Sequence, residues 1–115
     1  MKRVLIGVMG ALVLGAFAAT ASAQDAKVEK GVKVYADQKC SLCHAIAGKG
    51  NAKGALDEVG AKFTAAEIRE WISEPVKMAA KHKAERKPPM PVKYASLPKD
   101  DLDALVAYLS SLKKK

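Results

Sequence analysis

Apolar residues recur with helical spacing in three parts of the chain, and no run alternates with strand spacing. Val28, Val32 and Tyr35 lie at i, i+4 and i+7, with Lys27, Lys30 and Lys33 on other faces. This predicts an amphipathic helix over about Ala26–Lys39. Gly31 interrupts that helix at a cost of about 1 kcal/mol relative to Ala, so another backbone is expected to pack close to it. Ile68, Trp71 and Ile72 form a second stripe. Before it, Thr64-Ala65-Ala66-Glu67 reads as a capping box, whose hydroxyl and carboxylate satisfy exposed amides at a helix start. Pro75 is expected to end or kink this helix near Ser73, with a helical continuation over Val76–Arg86. Leu102, Leu105, Val106, Leu109 and Leu112 predict a last helix over about Pro98–Leu112. Its acidic start (Asp100, Asp101, Asp103) and basic end (Lys113–Lys115) both suit the helix dipole. Between these lie Ala45–Lys62, glycine-rich and read as loop with at most a short turn, and Lys87-Pro88-Pro89-Met90-Pro91, read as stiff and extended. The expected class is all-α, with three to four helices and long loops.

The first 23 residues stand apart from that pattern. Lys2 and Arg3 precede an uncharged apolar run from Val4 to Ala19, followed by Ala21-Ser22-Ala23. This order is that of a secretory signal peptide with an A-x-A cleavage site. The expected organisation is a cleaved leader over 1–23 and one domain over 24–115, exported to the periplasm. An uncleaved anchor is the alternative, since no charge appears from Val4 to Gln24.

The chain has 115 residues and a net charge of +8, which becomes +6 without Lys2 and Arg3. A basic balance fits an acidic partner surface. The basic tail is explained by the helix dipole, so no nucleic-acid partner is expected. A domain this small buries a limited share of its surface. Beyond the leader its aromatics are Tyr35, Phe63, Trp71, Tyr94 and Tyr108, a thin core that something else is expected to fill.

Cys40-Ser41-Leu42-Cys43-His44 is the motif that carries chemistry. C-x-x-C-H is the attachment signature of c-type haem. Each thiol adds to one vinyl group, two intervening residues span the vinyls, and the adjacent imidazole reaches the iron from one face. A thioredoxin-like pair needs a βαβ setting that the pattern does not show. A Cys40–Cys43 disulfide leaves His44 unexplained. A zinc site on Cys40, Cys43, His44 and His82 lacks the usual histidine spacing.

With that motif, the chain from Gln24 to Lys115 resembles a small class I, monohaem cytochrome c. Gly31 and Tyr35 resemble the family's glycine–aromatic pair on the first helix. Leu105 and Tyr108 resemble the partner face on the last helix, where the two cross. Ile68–Pro75 resembles the third helix, whose aromatic lines the haem pocket, and Trp71 is the match. Gly48–Gly60 resembles the glycine-rich loop. Many members place a proline there whose carbonyl orients the proximal histidine. Here Ala55 stands at that position, and a carbonyl of Gly54 or Ala55 is expected to accept the His44 Nδ1 proton. The resemblance implies a cytochrome c-like fold around one covalently attached haem c.

The sixth ligand has three candidates outside the leader: Met78, Met90 and His82. Met90 sits between Pro89 and Pro91, where restriction lets a loop hold a weak thioether ligand with little entropy to lose. Pro88–Pro91 with Tyr94 and Leu97 also resembles the family's methionine loop. The expected iron ligands are therefore His44 and Met90, and His/Met ligation raises the potential. The function implied is that of a monomeric electron carrier, not an enzyme, without stable membrane insertion once the leader is cleaved. Its redox partners would present acidic docking surfaces to Lys39, Lys49, Lys53, Lys87 and Lys93. The alternatives are a haem-based sensor or catalytic module with an open iron site, and a cytochrome subunit of a larger dehydrogenase or sulfur-oxidising complex.

Overall fold

The computed structural model describes residues 24–85 and 88–113. The expected leader, Arg86, Lys87, Lys114 and Lys115 lie outside the described residues. The first helix, α1, covers 24–37. A short 3-10 turn, Cys40–Leu42, follows it. Next come two paired strands, β1 (Ala45–Ile46) and β2 (Lys49–Gly50), and a second 3-10 turn, Ala52–Gly54. The rest is α2 (Val59–Lys62), α3 (Ala65–Ser73), α4 (Pro75–Lys81), a 3-10 turn over Val92–Ser96, and α5 (Lys99–Ser110). The class is all-α, as the periodicity predicts. The helix beyond the expected number is α2, a single four-residue turn inside the stretch read as loop with at most a short turn.

The capping box forms as read. Thr64 N–H donates to Glu67 Oε1 at 2.9 Å, and Glu67 N–H donates to Thr64 Oγ1 at 3.2 Å. Pro75 ends α3 and also starts α4, because a proline at N1 forfeits an amide that would have no helical partner. The continuation is shorter than expected. It closes at Lys81, and Lys83 turns the chain away with φ +54°.

Ile68 and Ile72 of α3 meet Leu105, Val106 and Leu109 of α5 and Val34 of α1 in the core. On α1 the buried face differs from the one the spacing predicted. Val32 is 46% exposed, whereas Val34 is buried. The reason is Gly31. A methyl group there would strike the Ala104 carbonyl oxygen and the Tyr108 Cβ. The α1–α5 crossing at this point sets which face of α1 turns inward. Tyr35 and Tyr108 complete it, edge to face with centroids 5.9 Å apart. Across the back of the molecule, Asp103 of α5 pairs with Arg69 of α3 and with Lys99.

The strands were not expected. β1 and β2 are too short to show a period, and their register, Ala45 with Gly50 and Ile46 with Lys49, leaves Ala47 and Gly48 as the turn. Both turn residues have positive φ, 54° and 80°, as a type I′ hairpin requires. Ala45 also bridges to Ala55. The hairpin thereby folds the glycine-rich stretch back beside the cysteine segment.

Candidate functional site

Cys40–Leu42 is wound as a 3-10 turn entered through Lys39, a non-glycine residue at φ +56°. His44 N–H closes it onto the Cys40 carbonyl at 3.0 Å. Asn51 then fastens it from outside. Its backbone N–H donates to the Ser41 and His44 carbonyls at 3.2 and 3.0 Å, and its side-chain amide to the Leu42 carbonyl. Gly50 makes this approach possible. Its φ is +113°, and a Cβ there would strike the His44 carbonyl oxygen. Asn51 has no apolar period and no motif, so sequence reasoning did not single it out. Its signal was a Gly-Asn step beside a ligand-bearing turn.

His44 Nδ1 lies 3.0 Å from the Gly54 carbonyl oxygen. Of the two acceptors expected, Gly54 is the one in place. A carbonyl accepts and never donates, so Nδ1 carries a proton, and in the neutral ring the lone pair is then on Nε2. This is the arrangement of a metal-ligating imidazole, whose second nitrogen is oriented by an outer acceptor.

The two cysteines are half-buried, free thiols. They face a cavity of about 280 Å³ whose wall includes His44, Gly54, Trp71, Ala79, Met90 and Tyr94. A second lobe of about 210 Å³ is lined by Tyr35, Phe63, Ile68, Ile72, Leu105 and Leu109. Cys40, His44, Leu56, Trp71 and Met90 border both lobes. The core is thus built around one continuous apolar slot with two sulfurs and an imidazole on one side and a thioether residue on its wall. Only together do the two lobes reach the range of about 300–1,000 Å³ typical of cofactor sites.

The three sixth-ligand candidates separate. Met90 lines the slot. Met78 is completely buried on α4 and lines neither lobe, so it is a packing residue. His82 is exposed at the end of α4 and also lies outside both lobes.

Two observations test whether a haem fits. The Trp71 Nε1 and Tyr35 hydroxyl are buried with no protein hydrogen-bond partner, and both residues border the slot. A Trp N–H left so in an apolar wall is costly unless a bound group accepts it. The donor set of two thiols and one oriented imidazole is also that of c-type attachment. The residues fit the group.

The rival chemistries do not fit. Burial pushes the Cys40 thiol up to about 11, so it is a neutral thiol at pH 7, whereas a redox-active C-x-x-C pair needs a lowered value. The zinc reading needed His82 beside Cys40, Cys43 and His44, and His82 lies outside both lobes of the slot that those three border. Burial likewise raises Tyr35 to about 12, with Cys40 adding to the effect. Among the described residues no helix is long and apolar enough to cross a membrane.

No curated protein and no solved structure matches the chain. The model of the Cytochrome c family does, over residues 28–113. That span takes in the cysteine–histidine turn and every residue that lines the slot. The chain belongs to the cytochrome c family and is a haem-binding electron-transfer protein.

Proposed function

We propose that this protein is a single-haem electron carrier of the periplasm, moving one electron at a time between partner proteins. The observation that carries the reading is the 3.0 Å contact from His44 Nδ1 to the Gly54 carbonyl, beside two free thiols and Met90 on one apolar slot. When bound, haem c supplies a one-electron iron couple. Cys40 and Cys43 would hold it through two thioethers, and His44 Nε2 and Met90 would ligate the iron. Gly54 keeps the His44 ring in one tautomer and raises its basicity. Pro88, Pro89 and Pro91 around Met90 restrict the loop that presents the thioether. The apolar walls exclude water and favour a high potential.

Partner docking is read from the slot's rim. Lys39 borders the slot, Lys93 lies over the Tyr94 ring at 5.3 Å, and Lys49 and Lys53 are exposed on the hairpin side. Leu42 and Val92, 71% and 62% exposed, place apolar contact area next to Cys43 and Pro91. A basic rim with apolar patches suits acidic partner surfaces. Electron-transfer rates with such partners should fall steeply with salt, and flat rates would remove the rim from the argument. Export is supported by the order of charge, apolar run and A-x-A site over 1–23. Intact mass of the exported protein reports both leader removal and covalent haem.

The ligands are tested by spectra of the haem-loaded protein. The oxidised wild type should show the weak red band of a Met–iron bond, and Met90→Ala should lose it. Retention of the band in Met90→Ala overturns that assignment. A colourless protein from a host able to attach haem overturns the whole reading.

A further inference from the structure

Outside the slot, one titratable side chain is built onto its wall. His82 ends α4, its N–H bonded to the Met78 carbonyl at 3.0 Å, and the left-handed Lys83 next to it turns the chain away. Its ring stacks on Trp71, with centroids 5.5 Å apart and 27° between planes. The edge of Phe63 closes the arrangement at 5.3 Å and 79°. His82 is exposed, while Trp71 borders both lobes of the slot. A single aromatic layer therefore separates a water-accessible imidazole from the cofactor's space.

Histidine is the side chain that changes charge between pH 5 and 8. A protonated imidazole on an indole face is held by the ring quadrupole. The charges around His82 are few. From α3, Glu67 feels both His82 and Lys81, but its carboxylate is already committed to the Thr64 N–H. Lys81 and Lys83 flank His82 on its own segment. Phe63 and Trp71, the rings packed against it, carry no charge. No carboxylate is hydrogen-bonded or ion-paired to His82 among the described residues.

We propose that His82 is the proton-binding residue that ties this protein's reduction potential to pH, through its stack on Trp71. The inference rests on the haem reading above. Oxidised protein carries one more positive charge in the slot, so it repels the His82 proton, and reduced protein binds that proton more tightly. By reciprocity, protonation of His82 favours reduction. Coulombic coupling through one aromatic layer at a water-exposed site makes the difference in proton affinity about threefold. At 59 mV per tenfold for one electron, that corresponds to a potential about 28 mV lower at pH 8 than at pH 5.

The experiment measures the potential of the haem-loaded protein from pH 5 to 8, together with the His82 ring titration by NMR in both oxidation states. Wild type should show the fall, with His82 titrating at about threefold lower proton concentration in the reduced form. His82→Gln should flatten the profile at its low plateau, and His82→Lys should hold it near the high one. An equal step in His82→Gln, a flat wild-type profile, or identical His82 titration in both states overturns the proposal. Haem-bearing protein with a flat profile defeats this inference alone, whereas protein without haem defeats the electron-carrier reading as well.

Discussion

Gly31→Ala sets two physical effects against each other, and the structure says which one prevails. On an exposed helix this change is stabilising by about 1 kcal/mol, because alanine is the better helix former. Here the new methyl would come within 2.5 Å of the Tyr108 Cβ and collide with the Ala104 carbonyl oxygen. Both obstacles are backbone or next to it, so neither can swing aside as a long side chain would. The helices must separate instead, which also disturbs the Tyr35–Tyr108 contact. Overpacking costs about 1–3 kcal/mol, and a clash with backbone belongs at the upper end. The net destabilisation is then about 2 kcal/mol. For a domain of this size that lowers the melting temperature by roughly 8–16 °C. Reversible denaturation of haem-loaded wild type and variant measures it. Val32→Ala, one residue along on the exposed face, is the control and should stay within about 0.5 kcal/mol of wild type. A Gly31→Ala protein as stable as wild type, or more stable, refutes the close-crossing argument.

Three further outcomes follow from local geometry. Ala47→Asn should stabilise the protein by about 1 kcal/mol in the same assay, since Ala47 is a left-handed L-alanine in a type I′ position that Asn-Gly fills best. Ala55→Pro should raise stability by about 0.4–1 kcal/mol, because Ala55 already has φ −60° and ψ 132° and proline restricts the unfolded chain; loss of stability would show that its neighbours cannot accept the ring. Arg69 first, then Lys99, hold the Asp103 carboxyl below its ordinary value. Its contribution to stability is therefore present above the unfolded carboxyl range near pH 4 and is lost as pH falls through the lower folded value. Asp103→Asn should accordingly melt below wild type at pH 7, with the gap closing in acid; an equal gap at both pH values would refute the linkage.

Short-range features of the chain were readable before folding was considered. C-x-x-C-H, the Thr64–Glu67 cap, the break at Pro75 and the stripe of α5 each lie within one to three helical turns. Covalent geometry alone brings their members together, so spacing sufficed. Even Gly31 announced a close neighbour, because glycine inside a helix is unfavourable without one. Spacing could not say whether Val32 or Val34 turns inward, since that depends on where α5 crosses. Nor could it show the hairpin, whose two-residue strands are held by Ala55 and by the approach of Gly50 to His44. Folding also sorted the three candidate ligands, sending Met90 to the slot, its chemical twin Met78 to the interior and His82 to the outer face of Trp71. Residues of like chemistry differ only in what long-range packing places beside them, and that information resides in contacts between distant parts of the chain.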